Sequence, residues 1–405
     1  MTTLQRRLGV PSAIAIGLSS MIGAGVFFVW APAAAAAGSG LLIGLALAAV
    51  VATLNALSTT QLAMANPVSG GSYSYARATI GDRTGFAAGL LFLVGKTASV
   101  AAIALIAGGY LWPDQTRIVA VGVLVLFAAV NITGIRSTAT TSTIIVAIVV
   151  VGLVTVLVVS VAGGDPQPIH VDVDAGWYGI LQSAGLLFFC FAGYARIATL
   201  GEEVRDPRHT LPRAIIAALA ITLLVYAAVA LVCLSLLGPA LATTASPLAA
   251  LAGGAADPVV RVVAGIACLG SLMGILAALS RTALAMARGG DLPGVLSTVN
   301  ARTHSPMVAE AAVAVAAILA VLFLEPERLV GVSACAVLAY YAIAHASALR
   351  QPSEQRWLPR MIQVAGLLGC SALALTLPWQ AVAATAGIVA VGILARTLAL
   401  RTVRR

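Results

Sequence analysis

Charge is scarce in this 405-residue sequence: Asp, Glu, Lys and Arg together make up 9% of the residues, whereas 60% are hydrophobic. Apolar stretches long enough to cross a bilayer, about 20 residues each, recur from one end to the other with short connections. This composition excludes a set of soluble domains and predicts one polytopic membrane domain over residues 1–405. The first apolar stretch has no evident small-residue cleavage site and several others follow it, so we do not predict a signal peptide.

The sequence lacks the residues that are characteristic of several functional classes of protein. The sequence shows no metal-ligand cluster, no nucleophile–base set and no nucleotide-binding loop, so we predict neither an enzyme nor a bound cofactor or metal. The net charge of +9 could indicate a nucleic-acid partner, but arginines on the cytoplasmic loops of a membrane protein explain it better. All five cysteines lie inside apolar stretches, so we expect free thiols and no disulfides.

Twelve apolar segments predict an all-α membrane protein with twelve transmembrane helices. Their approximate bounds are 11–37, 41–64, 86–111, 117–133, 141–162, 177–200, 213–237, 258–284, 307–324, 328–349, 361–377 and 379–398. An even number of spans places both termini on the same side. With the termini in the cytoplasm, only Arg117, Arg261 and Arg328 fall on outer segments. This excess of arginine inside predicts a multi-pass protein of the cytoplasmic (inner) membrane.

The first span is interrupted at its centre by small and polar residues, in the run from Gly17 to Phe27. Glycine removes the side chains that stabilise a helix and lets the backbone approach a bound molecule. Backbone that leaves the helix at membrane depth must be buried in protein or line a cavity. We therefore predict a broken helix at Gly23 and Gly25 whose freed N–H and C=O groups face a ligand. Close helix packing is the alternative explanation for small residues here.

The sixth span carries a similar interruption, Phe191-Ala192-Gly193-Tyr194. Spans one and six each begin a group of five spans. Paired interruptions at matching positions indicate an inverted-repeat transporter whose site lies between them. The predicted repeats cover about 11–162 and about 177–349, and extra helices follow over about 361–398.

Five pieces of the sequence, by their order and spacing, resemble the amino acid–polyamine–organocation family of secondary carriers. They are Gly23–Phe27, Pro67–Arg77, Phe191–Tyr194, Glu203–Pro207 with Pro212-Arg213, and Ser280–Pro293. The resemblance implies the leucine-transporter fold, in which spans 1, 2, 6 and 7 form a mobile bundle that moves against spans 3, 4, 8 and 9.

Two positions depart from the family pattern. Many members carry an acidic residue two positions after the glycine of span six, where this sequence has Ala195 followed by Arg196. Some proton-coupled members carry a lysine in span five, where alignment from Asn131 places Val149. The family's own device for proton coupling is therefore not evident here.

An amino acid presents a carboxylate and an ammonium group, and the interrupted spans offer backbone groups for both. Amides at the start of the second half-helix favour an anion, whereas carbonyls that end the first half and those of span six suit the ammonium. Aromatic residues of span six would face the substrate side chain, although ordinary packing also explains them. The predicted substrate-binding residues are Ser19, Ser20, Gly23, Ala24, Gly25, Phe189, Cys190, Phe191, Ala192, Gly193 and Tyr194.

Lys96 is the only lysine of the chain and lies about ten residues into span three, roughly 15 Å deep. Placing a cation at mid-bilayer costs about 2.5–3.5 kcal/mol of insertion free energy. We therefore expect Lys96 to have either an interaction partner or a functional role. Lysine, unlike arginine, can lose its proton when buried, and we predict a proton-coupling role. Two alternatives stay open: Lys96 has only a structural role, or it supplies a fixed charge that replaces a sodium ion or meets the substrate carboxylate.

A candidate inner gate consists of Arg196 paired with Glu202 or Glu203. The alternative is a plain interfacial ion pair between the same residues.

These features predict a secondary active transporter of amino acids that works by alternating access in the lipid bilayer, with protons as a further partner if Lys96 titrates. Neutral amino acids are the first prediction for the small-molecule substrate, because no carboxylate is predicted at the midplane and Lys96 would repel cations. A carrier or exchanger of cationic amino acids or polyamines is one alternative, and a channel is another. The exact substrate, symport against exchange, and the oligomeric state stay open.

Overall fold

The computed structural model describes residues 8–65, 71–132, 139–198, 204–254, 257–300, 303 and 305–403. These residues form seventeen α-helices and no β-strand, and Leu8 and Val204 pair in an isolated bridge. The helices are α1 (Val10–Met21), α2 (Gly25–Phe28), α3 (Trp30–Ala37), α4 (Leu41–Ala65), α5 (Ser72–Thr79), α6 (Asp82–Leu111), α7 (Thr116–Ile132), α8 (Ala139–Gly163), α9 (Gly176–Phe191), α10 (Ala195–Ala198), α11 (Pro207–Leu237), α12 (Pro247–Ala252), α13 (Asp257–Arg288), α14 (Met307–Phe323), α15 (Pro326–Leu349), α16 (Arg360–Thr376) and α17 (Trp379–Val403). Short 3-10 helices lie at Gly38–Gly40, Pro113–Gln115, Ala192–Tyr194, Gly238–Thr243, Gly294–Ser297 and Ser353–Gln355.

The twelve predicted spans are all present as apolar helices. Ten helical segments are long and apolar enough to cross a membrane, and α14 and α16 are shorter apolar helices. Span one is divided among α1, α2 and α3, and span six between α9 and α10. Span seven begins earlier than predicted, at Pro207, because proline suits the first turn of a helix, where its missing N–H is not needed.

The outer surface of α8 is covered by large apolar side chains. Val151, Val154 and Val158 are each more than half exposed, at 65%, 53% and 62%. Their spacing of three and four residues puts them on one face of the helix. An exposed apolar stripe of this kind marks the surface that faces lipid.

α6 lies inside the bundle, between α15 and α13. Small residues allow the close approach, since a side chain at Gly95 would meet Val337 of α15. The buried hydroxyls of Ser99 and Ser333 lie 2.6 Å apart across the same contact. Transmembrane helices pack closely through small residues and through hydrogen bonds between hydroxyl groups. These contacts determine which face of α6 packs against α15.

A buried carboxylate ties three elements together at one end of the bundle. Asp291, whose side chain is 1% exposed, lies 3.0 Å from Arg77 of α5 and 2.7 Å from Arg396 of α17. The Tyr73 hydroxyl donates to Asp291 at 2.9 Å, and burial beside this carboxylate raises the pKa of the Tyr73 phenol. We call Tyr73, Arg77, Asp291 and Arg396 the Asp291 cluster. It holds α5 and α17 to the segment that follows α13.

Candidate functional site

The backbone of span one is not α-helical near the middle of the span. α1 ends at Met21 and α2 begins at Gly25, so the predicted break at Gly23 and Gly25 is confirmed. The Gly23 amide donates to the Met21 carbonyl at 2.8 Å. Among the described residues, nothing accepts a hydrogen bond from the buried amides of Ala24, Gly25 and Val26. Buried N–H groups are rarely left unpaired, so three consecutive ones indicate a place for a bound acceptor.

Span six leaves the α-helix at the matching position. α9 ends at Phe191, a single 3-10 turn covers Ala192–Tyr194, and α10 begins at Ala195. The predicted break near Cys190–Gly193 is confirmed, and the change of geometry falls at its C-terminal end. A short 3-10 stretch inside a longer helix often marks a hinge, which is the property that a moving gate requires.

The two interruptions touch each other. A Cβ atom at Gly25 would lie 2.5 Å from the Sγ atom of Cys190, and one at Gly193 would overlap the carbonyl oxygen of Ser20. Contacts this close leave room only for glycine. No helix therefore separates span one from span six at this point. We call the contact formed by Ser20, Gly25, Cys190 and Gly193 the junction.

The predicted serines contribute their backbone rather than their hydroxyls. The hydroxyls of Ser19 and Ser20 both donate to the Ile16 carbonyl, at 2.9 and 3.0 Å. The Ser20 carbonyl instead lies against Gly193, and Ala192 is buried in the adjoining turn. The predicted backbone groups of the two spans are thus brought together.

A tyrosine of span seven joins the two halves of the junction. The Tyr226 hydroxyl donates to the Met21 carbonyl at 2.5 Å and lies 3.2 Å from the Cys190 carbonyl. The rings of Trp30 and Phe191 pack edge-on against this fully buried side chain. Sequence reasoning missed Tyr226 because one tyrosine in an apolar span also suits ordinary packing. The available signal was its hydroxyl, since a buried tyrosine O–H usually finds a partner.

Two further residues outside the predicted set contact span one beside its break. The Tyr110 hydroxyl of α6 donates to the Phe27 carbonyl at 2.6 Å. Ser271 of α13 occupies the space that a side chain at Gly23 would need. Spans three and eight therefore line the break together with spans six and seven.

The predicted aromatic residues of span six point to different neighbours. Phe191 packs against Tyr226 of α11, whereas Tyr194 packs against Tyr341 of α15 with ring centroids 5.4 Å apart. Phe189 is only partly buried. In this state of the molecule the three rings do not face one common space, so their predicted role toward the substrate side chain stays a prediction.

Lys96 lies near the middle of the 30-residue α6 and is partly buried. Its neighbours on the helix, Gly95 and Ser99, contact α15. Among the described residues, Lys96 has no hydrogen-bond or ion-pair partner. An unpaired lysine inside a transmembrane helix supports the hypothesis that the residue has a functional role.

The level of Lys96 follows from the register of α6 on α13. Two glycine contacts set that register, Gly89 on Met286 and Gly265 on Leu111. Lys96 then lies about eight residues from the level of Ser271, which meets Gly23, or about 12 Å along the bundle axis. A lysine side chain does not extend that far, so Lys96 does not touch the junction in this state.

Of the three residues predicted for the inner gate, only Arg196 is among the described residues. Arg196 lies on α10, directly after the interruption of span six, and is partly buried. Its predicted partners Glu202 and Glu203 lie outside the described residues, so their pairing stays a prediction. Beyond them, the Arg205 amide donates to the Leu8 carbonyl at 2.8 Å, which returns the chain to the start of span one.

A cleft of about 380 Å³ opens beside α3 and α9. The 3-10 helix Gly238–Thr243 contributes to its wall, and Gln182 and Glu327 are polar residues of its lining. Phe28 also lines the cleft and lies three residues after Gly25. The cleft has the volume of a small-molecule pocket.

The sequence is similar to those of known transporters. A family model described as "Amino acid permease" matches residues 8–399. An uncharacterized transporter of Mycobacterium tuberculosis is 51% identical over 400 residues, which cover 97% of this chain and 91% of the relative. A branched-chain amino acid permease of Bacillus subtilis is 26% identical over 349 residues, covering 76% of this chain and 72% of the relative. A vacuolar cationic amino acid transporter of Arabidopsis thaliana is 27% identical over 400 residues, covering 89% of this chain and 62% of the relative.

Proposed function

The chain belongs to the amino acid permease family, and on that premise we propose that this membrane transporter binds an amino acid at the junction and carries it by alternating access. The observation that carries the proposal is the direct contact of the two interrupted spans beside three amides without acceptors. The amides of Ala24, Gly25 and Val26 would hold the substrate carboxylate. The carbonyls of Ser20 and Cys190 would hold its ammonium group.

Alternating access follows from the way the junction is closed. Gly25 and Gly193 lie directly against the opposite span, so an amino acid can enter only when spans one and six part. The cleft lined by Phe28 is the side from which we expect the substrate to reach the junction. We propose that residues 11–162 and 177–349 are the inverted repeats that make this movement possible, and that both termini lie in the cytoplasm of a cell whose inner membrane holds the protein.

We propose neutral amino acids as the substrates. Among the described residues, no aspartate or glutamate contacts the junction, so a second ammonium group would have no counter-charge there. Relatives named for both substrate classes exist, a branched-chain permease and a cationic amino acid transporter. A carrier of cationic amino acids is therefore the second candidate, and substrate competition distinguishes the two.

The test is competition in proteoliposomes that contain the purified protein. Exchange of a labelled neutral amino acid is measured while each of the other amino acids and several polyamines is added in turn. We expect neutral amino acids to compete and polyamines not to, because the junction reads only the α-amino acid group. Stronger inhibition by cationic amino acids than by neutral ones would favour the second candidate, and unitary currents in place of exchange would indicate a channel.

Lys96 is proposed as the residue that couples transport to protons. Lys96→Met should lose accumulation driven by a pH gradient but keep exchange, because the residue lies away from the junction and methionine packs well in apolar surroundings. Lys96→Arg should fail in the same way, since arginine does not release its proton. Retained accumulation in Lys96→Arg would identify a fixed charge instead, and retained accumulation in both variants would identify a structural lysine.

A further inference from the structure

A polar cluster lies away from the junction, between spans two, ten and eleven. Asn55 of α4, His345 of α15 and Cys370 of α16 are 1%, 0% and 0% exposed. His345 Nε2 donates to Asn55 Oδ1 at 2.6 Å, and the Cys370 thiol lies 3.0 Å from the same oxygen. A Cβ atom at Gly366 of α16 would overlap the imidazole ring. We call Asn55, His345 and Cys370 the histidine cluster.

The histidine cluster reaches the interrupted span six through tyrosines. Tyr194 follows Gly193 of the junction, and its hydroxyl faces Asn55 and Tyr341. Tyr341 lies one turn before His345 on α15. The cluster is therefore the place where spans two and six, both part of the mobile bundle that the family resemblance implies, meet spans ten and eleven.

The imidazole of His345 is held in its neutral form. Nε2 carries the proton that Asn55 accepts, while Nδ1 has no partner among the described residues. Protonation of Nδ1 would place a cation in a buried site that offers it no acceptor. A buried charge without a counter-charge is strongly disfavoured, so the protonated form favours an arrangement in which water reaches the ring.

The groups around His345 provide no such counter-charge. The titratable side chains that adjoin the cluster are Tyr194 of the span-six turn and Tyr341 of α15, and Cys370 of α16 belongs to it; all three are neutral at physiological pH. Lys96 of α6 lies level with about Ala336, about nine residues from His345 along α15. Tyr75 of α5 lies near Tyr340, on another face of α15. Among the described residues, no carboxylate contacts the cluster.

We propose that His345 is a pH-sensitive latch: its neutral form holds spans two and six against spans ten and eleven, and its protonation releases them. Histidine is the side chain that ordinarily titrates between pH 5 and 8. Acid therefore speeds the opening of the carrier even when both sides of the membrane have the same pH. The effect on transport rests on the proposed function, whereas the opening itself does not. The latch is also separate from Lys96, which would govern accumulation along a pH gradient.

Alkylation of Cys370 measures this opening without any substrate. The purified full-length protein is treated with N-ethylmaleimide between pH 5.5 and pH 8, and labelling of the Cys370 peptide is followed by mass spectrometry. His345→Gln keeps an N–H donor for Asn55 but cannot titrate. Because acid also slows thiol chemistry, the wild type and the variant are compared at each pH. We expect the ratio of wild-type to variant rates to rise about tenfold from pH 8 to pH 5.5.

Two controls complete the experiment. His170→Gln changes an exposed histidine of a loop, so its rate should equal that of the wild type at every pH. Asn55→Asp places a carboxylate against the imidazole, so the protonated form gains a counter-charge and Cys370 should stay protected in acid. This second variant also decides the question if His345→Gln does not fold.

A ratio that does not change with pH, or acid labelling of Asn55→Asp as fast as that of the wild type, overturns the latch. Exchange of a neutral amino acid at equal pH on both sides is measured in parallel. Wild-type exchange that accelerates in acid, with a flat profile in His345→Gln, supports both proposals. A rising labelling ratio without exchange of any amino acid would leave the latch in place and overturn the proposed function instead.

Discussion

The junction and the Asp291 cluster are both buried places where distant parts of the chain meet, but different interactions hold them. The junction consists of glycine contacts and one tyrosine hydroxyl shared between two carbonyls. In the Asp291 cluster, a buried carboxylate lies between two arginines. Removing one partner of a buried ion pair costs about 3–5 kcal/mol, whereas a substrate's own polar groups can replace neutral hydrogen bonds. We therefore expect the junction to part during transport and the Asp291 cluster to stay intact.

Filling the junction should have the largest effect on transport. In Gly193→Ala the new methyl group would overlap the backbone of Ser20 and Met21, which cannot rotate away as a side chain can. We expect exchange in proteoliposomes to be lost while the protein remains folded in detergent. Gly122→Ala on α7 is the matched control, because nothing lies within 4 Å of a side chain there. Normal exchange by Gly193→Ala would show that spans one and six need not meet closely.

Substitutions at Gly25 and Gly23, the glycines of the break in span one, should rank in effect by what the new side chain meets. Gly25→Ala would meet both the thiol and the Cα atom of Cys190, so a large loss of exchange is expected. Gly23→Ala would meet mainly the hydroxyl of Ser271, which can turn to another rotamer at a modest cost. The rates of exchange should therefore fall in the order Gly23→Ala, Gly25→Ala, Gly193→Ala. The reverse order would contradict the packing described for the junction.

Removing the charge of the Asp291 cluster should lower stability without changing substrate choice. Asp291→Asn leaves Arg77 and Arg396 without their shared counter-charge, and we expect a loss of about 3–5 kcal/mol in the free energy of unfolding. Thermal unfolding in detergent measures this loss. Asp82→Asn is the control: its side chain is 66% exposed in its pair with Arg77, and such pairs contribute about 0–1 kcal/mol. An altered substrate profile in Asp291→Asn would place the cluster in the transport pathway.

The contrast between the two regions also shows what the sequence could predict. The breaks near Gly23 and Gly193 were predictable because glycine and polar residues weaken a helix locally, whatever surrounds them. The spans were predictable because a bilayer requires apolar helices of a set length. Tyr226, Tyr110 and Ser271 were not identified, because their roles depend on which helix faces meet.

Lys96 illustrates the same limit. Its place near the middle of a span was predictable from chain length alone. Its separation from the junction was not, because that distance depends on the register between α6 and α13, which long-range contacts such as Gly89 with Met286 determine. For the same reason the contact between His345 and Asn55, two residues 290 positions apart, could not be predicted.

The smallest effect is expected from the hydroxyl that bridges the junction. Tyr226→Phe keeps the ring packed against Trp30 and Phe191 but removes the hydrogen bond to the Met21 carbonyl. A net hydrogen bond contributes about 1 kcal/mol, and because this bond holds the junction closed before substrate enters, its loss should lower the half-saturating substrate concentration about fivefold. Tyr178→Phe, at a 59% exposed residue, should leave it unchanged. A loss as complete as that of Gly193→Ala would mean that Tyr226 contacts the substrate itself.

Substrate protection of Cys190 tests the central claim most directly, because the sulfur atom of that residue lies against Gly25 within the junction. The purified protein is alkylated with and without a transported neutral amino acid, and labelling of each cysteine peptide is followed by mass spectrometry. Cys335 is the internal reference, since its thiol faces the Ala374 carbonyl of α16 at 3.8 Å. We predict that the amino acid slows labelling of Cys190, saturating at the concentration that half-saturates exchange, and leaves Cys335 unaffected. Labelling of Cys190 that does not respond to a transported amino acid would contradict a substrate site at the junction.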